Sequence, residues 1–506
     1  PTAALQFYSG SRSYWGSLFG PSVAATDAIT LRASGDNAGV TVTGTSTRSN
    51  RVGLWLGSVT IETKNGPVFL ESGADEAVLG RSSVGPVTYK PVSPGSGGDV
   101  TFRVFRNSET NRINITTSGN VFYLPQGQSF TAAQTFPTAN STMTVGSLTV
   151  GSESNTEDLT VGAAVNSTNS IEYIGGDVLV NAGVSAGAGG ISFKARRDIL
   201  VDPATKSITS SPAGNIVFWA NSGGAGGEVD TGGTSVSINS NGGDIVIGGG
   251  ADDGANDGVA LDGKPDSFLL GRTGIDIARL GANMNSGAGD ISVRAQASPS
   301  LATSAVNSAI YVKDSVRISS TTGRILLHGI QNSGNTSTGN TYGVILGYST
   351  TLSQQAVITS TLGDVVIHGD ASQRAASTNR RGVLLFGVRI SAGGDIDIFG
   401  KSPPTTGSYD VIGWATSTVT AIGNINLSGE RVSGLEFTTF NSGGTTTLSV
   451  GQLIGGDLGT NTSDTASVAA AFNGSGALII EPFATSFTTT QLSLIHISEP
   501  TRQAEI

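Results

Sequence analysis

The 506-residue chain has no cysteine, only three histidines, and a charged fraction of 13%. The missing thiols exclude disulfide bonding, thiolate catalysis and cysteine-ligated zinc. No basic cluster is present and the net charge is −10, so nucleic acid and anionic membrane are not expected partners, because both are held by concentrated Lys and Arg. No apolar run approaches the roughly 18 residues of a spanning helix; the longest are pieces such as Ile216-Val217-Phe218-Trp219. Apolar patterns of period 3.6 are also missing, while Gly, Thr, Ser, Asn and Val dominate, which argues against helices.

What is abundant is glycine, 72 residues in all, and it falls in a recurring phrase: a glycine, a polar residue, then apolar-polar-apolar. Examples are Gly176-Asp177-Val178-Leu179-Val180, Gly243-Asp244-Ile245-Val246-Ile247, Gly289-Asp290-Ile291-Ser292-Val293, Gly363-Asp364-Val365-Val366-Ile367, Gly394-Asp395-Ile396-Asp397-Ile398 and Gly423-Asn424-Ile425-Asn426-Leu427. Glycine permits a tight bend, Asp or Asn bonds turn backbone, and residues of period two build a short half-buried strand. Phrases begin at Gly289, Gly323, Gly363, Gly394 and Gly423, intervals of roughly 29 to 40 residues that fit coils of three short strands with loops of varying length.

The expected fold is therefore all-β, a right-handed parallel β-helix (β-solenoid) with variable loops running continuously through 1–491. An antiparallel β-sandwich array is the competing architecture, since regular short strands also suit a sandwich. In the solenoid, Ile291/Val293, Ile325/Leu327, Val365/Ile367, Ile396/Ile398 and Ile425/Leu427 point inward, and Arg294, His328, His368, Phe399 and Ser428 share an outward column.

A longer repeat is also present. Residues 118–134, SGNVFYLPQGQSFTAAQ, align without gaps on 475–491, SGALIIEPFATSFTTTQ. The next segment, Leu492 to Arg502, reads LSLIHISEPTR and resembles a translated sequencing adapter. Residues 492–506 are thus expected to be non-native, and 1–491 to be a fragment of a longer protein.

The segments GGDVLVNAGVSAGAGGISFKARRDI (175–199), AGNIVFWANSGGAGGEV (213–229) and SINSNGGDIVIGGGADDGANDGVALDG (237–263) resemble the large secreted bacterial β-helix proteins of the filamentous haemagglutinin and adhesin type. The resemblance is one of repeat style over most of 1–491. It implies a monomeric rod, secreted and displayed at the outer-membrane cell surface, that attaches to glycans, proteins or other cells and is not an enzyme. Two alternatives stand beside it. A secreted β-helix polysaccharide lyase or hydrolase would need carboxylates, or carboxylates with Lys or Arg, on one face. A passive stalk or surface-layer element would need no site at all.

Asp252, Asp253, Asp257, Asp262 and Asp266 cluster on a glycine-rich loop and are the candidate calcium ligands, since calcium takes several oxygens on a flexible turn. The spacing departs from an EF-type loop, with Ala255 and Lys264 where ligands are needed, so a solvated acidic loop is the plain alternative. Trp219 is the candidate ligand-binding residue, because its outward position would offer a ring for sugars to stack on; Phe399 is outward too, Trp55 and Trp414 lie in or beside strand-like segments, and packing beneath a long loop is the plain alternative for these rings. His328 and His368 could share a metal ion only if they lie in adjacent coils, about 4.8 Å apart, and not two coils apart. Gly400-Lys401-Ser402 ends a near-miss to a phosphate loop, with one residue too many between Gly394 and Gly400, and Asp395 to Phe399 reads as strand.

Overall fold

The computed structural model describes residues 5–11, 15–19, 29–46, 52–73, 76–79, 86–93, 96–107, 112–204, 207–223, 227–249, 269–270, 276–296, 306–331, 340–348, 351–372, 380–403, 408–435, 438–454 and 471–483. Among them the structure is strand and turn, with no α-helix and a short 3-10 turn at Leu352–Gln354. The chain divides into two compact units, one of residues 1–272 and 277–295, the other of 273–276 and 296–506.

In the first unit each coil contributes three strands. One ladder runs through Ser147–Gly151, Ser170–Gly175, Gly190–Ala195, Ile216–Ala220 and Ile245–Gly249, every pair parallel. A second stacks Leu159–Val161, Val178–Val180, Ile199–Val201 and Val229–Asp230. The third stacks Thr142–Val145, Val165–Ser167, Val184–Ala186, Ser207–Ser210 and Ser237–Asn239. Strand Trp15–Phe19 pairs Val52–Leu56, which pairs Glu76–Leu79, in a small sheet of their own.

The second unit repeats the plan. Ile325–Ile330, Val365–Asp370, Ile396–Lys401 and the start of Ile425–Ser433 form one parallel ladder. Val306–Val312, Asn340–Leu346, Arg380–Phe386 and Tyr409–Ala415 form another. Arg317–Ser320, Ala356–Ser360, Val388–Ala392, Ser417–Ala421 and Thr438–Ser442 form the third. Each unit is a parallel β-helix, and the sandwich alternative, which needs antiparallel neighbours, fails on strand direction.

The register explains the choice of residues. Ile291, Val293, Ile325, Leu327, Val365, Ile367, Ile396, Ile398, Ile425 and Leu427 are all fully buried, and each such side chain is worth about 1.5–3 kcal/mol when removed from water. Aromatics join the aliphatic stack in the first unit. Tyr173, Phe193 and Phe218 follow one another at 6.0 and 5.4 Å between ring centroids, and Tyr123 lies on Phe136 at 4.2 Å. Their hydroxyls are satisfied internally: Tyr173 donates to the Phe136 carbonyl at 2.9 Å and Tyr123 to Gln134 Oε1 at 2.9 Å.

The Gly-Asp/Asn phrase has a different logic from a local turn bond. Its carboxylate or amide oxygen reaches the following coil. At one corner the bond recurs even where Glu157 or Arg197 stands in place of the glycine: Asp177 N–H donates to Asp158 Oδ1 at 2.9 Å, Asp198 N–H to Asp177 Oδ1 at 3.1 Å and Glu228 N–H to Asp198 Oδ1 at 3.0 Å. At another corner Asp244 N–H donates to Asn215 Oδ1, and Asp290 N–H to Asp244 Oδ1, both at 2.8 Å. In the second unit Asp364, Asp395 and Asn424 receive the N–H groups of Asp395, Asn424 and Thr445. The preceding glycine is required by close approach: a Cβ on Gly289 would lie 2.1 Å from the Gly243 carbonyl oxygen, and one on Gly243 2.3 Å from that of Gly214. Buried serines finish the corner. Ser286 and Ser360 donate to the carbonyls of Gly289 and Gly323 at 2.6 and 2.7 Å, and Ser240 donates to that of Gly243.

Candidate functional site

Asp252, Asp253, Asp257, Asp262 and Asp266 lie outside the described residues, as do 492–506, Gly224 to Gly226, and the side chain of Trp414. Among the described residues no group of three or more His, Cys, Asp or Glu is placed to hold a metal ion. Lys401 ends the strand Ile396–Lys401 and its ammonium lies 4.0 Å from Asp370, in keeping with the strand reading of the phosphate-loop near-miss.

Trp219 corrects an expectation. Strand alternation puts Phe218 inside and Trp219 on the opposite face, yet Trp219 is only 2% exposed. Its cross-strand neighbour Lys194 sets the ammonium 3.9 Å from the ring centroid, a cation–π contact strengthened by partial desolvation. The ring therefore presents no stacking surface to a sugar. Trp55 is buried likewise, packed by Val52.

Around Lys194 the first unit gathers a polar cluster. Lys194 donates to Glu153 Oε1 at 2.9 Å and is itself largely covered, whereas Glu153 is exposed. Glu172, half-buried on the adjoining strand, has its carboxyl pushed above the usual range, chiefly by desolvation and then by Glu153, with Lys194 opposing. Two carboxylates and a lysine thus share one outward face. A second charged group sits at the corner, where Arg197 bridges Asp177, at 2.9 Å, and Asp158. Its carboxylates are the ones that hold the next coil's N–H, so this cluster serves the stack.

In the second unit the outward column is as the alternation predicts. His328 opposes His368 in the parallel register, His368 opposes Phe399, and Phe399 opposes Ser428. The histidines are consequently in adjacent coils, with ring centroids 5.2 Å apart and planes at 81°. Phe399 packs on the far side of His368 at 4.9 Å, with Phe483 6.3 Å beyond. Desolvation holds the His368 imidazole below its ordinary range, against the attraction of Asp397 and aided by Arg324. Elsewhere on this unit Tyr348, Leu352, Leu362 and Ile422 are exposed.

Residue patterning did not single out Glu153, Glu172 and Lys194, because they are ordinary polar positions of a strand and loop until the register joins them. Comparison with family models, with curated proteins and with solved structures finds no match.

Proposed function

We propose that the protein is an extracellular, adhesin-like binding scaffold of bacterial-surface type that attaches to glycans or proteins of other surfaces. The supporting observation is the coil-to-coil corner: Asp, Asn, Ser and Gly side chains and backbones are committed to holding one coil on the next. Such nearest-neighbour stacking lets outward positions vary freely, as an attachment surface requires. The exposed Tyr348, Leu352, Leu362 and Ile422 are the natural contact points, since apolar side chains outside a core gain by being covered. Binding of the purified chain to a glycan array or to cultured cells, reduced by Tyr348→Ser with Leu352→Ser while the far-ultraviolet spectrum is unchanged, is the expected result. A chain that binds no array and no cell overturns the reading.

The polysaccharide lyase or hydrolase reading draws on one observation, the face shared by Glu153, Glu172 and Lys194. A half-buried carboxyl with a raised pKa is the form suited to donating a proton. Cleavage of polyuronate or neutral glycans by the full chain, abolished in Glu172→Gln, would establish it; intact polymer after prolonged incubation removes it.

A further inference from the structure

We propose that His328 and His368 together form a binding site for a divalent first-row transition-metal ion of the zinc or copper(II) class. The two imidazoles project from directly paired positions of adjacent parallel strands, so their separation is fixed by the ladder and not by loop conformation. Zinc binds imidazole nitrogen at about 2.0–2.1 Å in tetrahedral geometry, which places the centroids of two rings on one ion about 5.3 Å apart. The observed separation is 5.2 Å. Little movement beyond rotation about the side-chain torsions is then needed to turn one nitrogen of each ring toward a common point.

The surroundings suit such an ion. Phe399, packed at 4.9 Å on His368, restricts that ring from one side. Asp397 lies close enough to attract positive charge at His368, while Arg324 opposes it. No third His, Cys, Asp or Glu completes a protein cage among the described residues, so water fills the remaining positions. Imidazole donors favour zinc, copper and nickel over the oxygen-seeking magnesium and calcium, so selectivity is part of the inference. It is independent of the attachment reading.

The test is isothermal calorimetry of the full chain with zinc chloride and, separately, copper(II) chloride in a non-chelating buffer, with magnesium chloride as the contrast. One ion per chain is expected for zinc and for copper(II), and no comparable heat for magnesium. His368→Phe, which keeps an aromatic ring between His328 and Phe399, should weaken binding at least tenfold, as should His328→Phe, with unchanged far-ultraviolet spectra. His496→Ala should leave binding as it is. Electron paramagnetic resonance of the copper(II) form should show two equatorial nitrogens, falling to one in either variant. Equal binding by wild type and the double variant, or a one-nitrogen spectrum in the wild type, overturns the site.

Discussion

The main-chain N–H of Asp290 donates to the Asp244 carboxylate at 2.8 Å across 46 residues of sequence. Asp244 in turn donates its own N–H to Asn215 Oδ1 at the same distance. An amide oxygen fills the same role at Asn215 and Asn424, so the geometry of the acceptor and not its charge is the common feature. Asp244→Asn is therefore expected to keep stability within about 0.5 kcal/mol, whereas Asp244→Ala, which leaves the Asp290 N–H without this acceptor, costs about 1 kcal/mol. Chemical denaturation of both variants checks the contrast; equal losses would show that charge, not the acceptor, matters.

Glycine at the corner is expected to be irreplaceable. Gly289→Ala drives a methyl to 2.1 Å from a main-chain oxygen, and overpacking of this kind costs about 1–3 kcal/mol. Gly127→Ala is the control, since its nearest neighbour beyond the adjoining residues would be 3.8 Å away. The two variants should separate clearly in denaturation midpoint, and coincident curves would contradict the close approach.

Trp219→Ala is expected to destabilise its own coils by about 3–5 kcal/mol, the usual loss for a buried aromatic, and to leave Lys194 without its ring. Hydrogen exchange should show lost protection in Gly190–Ala195 and Ile245–Gly249, the strands that flank it. Unchanged protection would mean that the ring is exposed after all.

Glu62 supplies a pH dependence. Its carboxylate, almost fully buried, is bonded by Arg32 and lies 3.1 Å from the Lys90 ammonium. The Arg32 hydrogen bond above all, with Lys90 and against desolvation, holds its pKa below the ordinary 4.5. The folded protein then binds fewer protons here than the unfolded chain, so the contribution is complete above about pH 4.5 and disappears as pH falls through the folded-state value. Glu62→Gln should be less stable than wild type by about 1 kcal/mol at pH 7, and the gap should close in acid. A gap that is constant from pH 7 to 3 refutes the assignment.

Strand phrases and inward positions were legible because period-two alternation writes them directly: Ile396 and Ile398 inside, Phe399 outside. Handed only that alternation, one reads outward as exposed, and Trp219 shows the error, since Lys194 and its surroundings cover an outward ring. Buried serines such as Ser240, Ser286 and Ser360 carry no mark in a chain full of serine; only the glycine carbonyls they meet identify them. The interval between His328 and His368 fits one coil or two, and the choice rests on which strands lie between. Asn340–Leu346 and Ala356–Ser360 complete a single coil.

The corner bonds join residues 19, 21, 30 and 46 positions apart, yet the contact made is the same each time. Length between corners is thus free of the stack's control. Additions and deletions in those connections cost little, because loop-closure entropy grows only slowly with length, while one residue gained inside a strand would turn its faces over. Such a molecule tolerates wholesale revision along its margins and almost none along its spine, so divergence between descendants should accumulate as changes of connector length around a nearly fixed set of Asp and Asn corners.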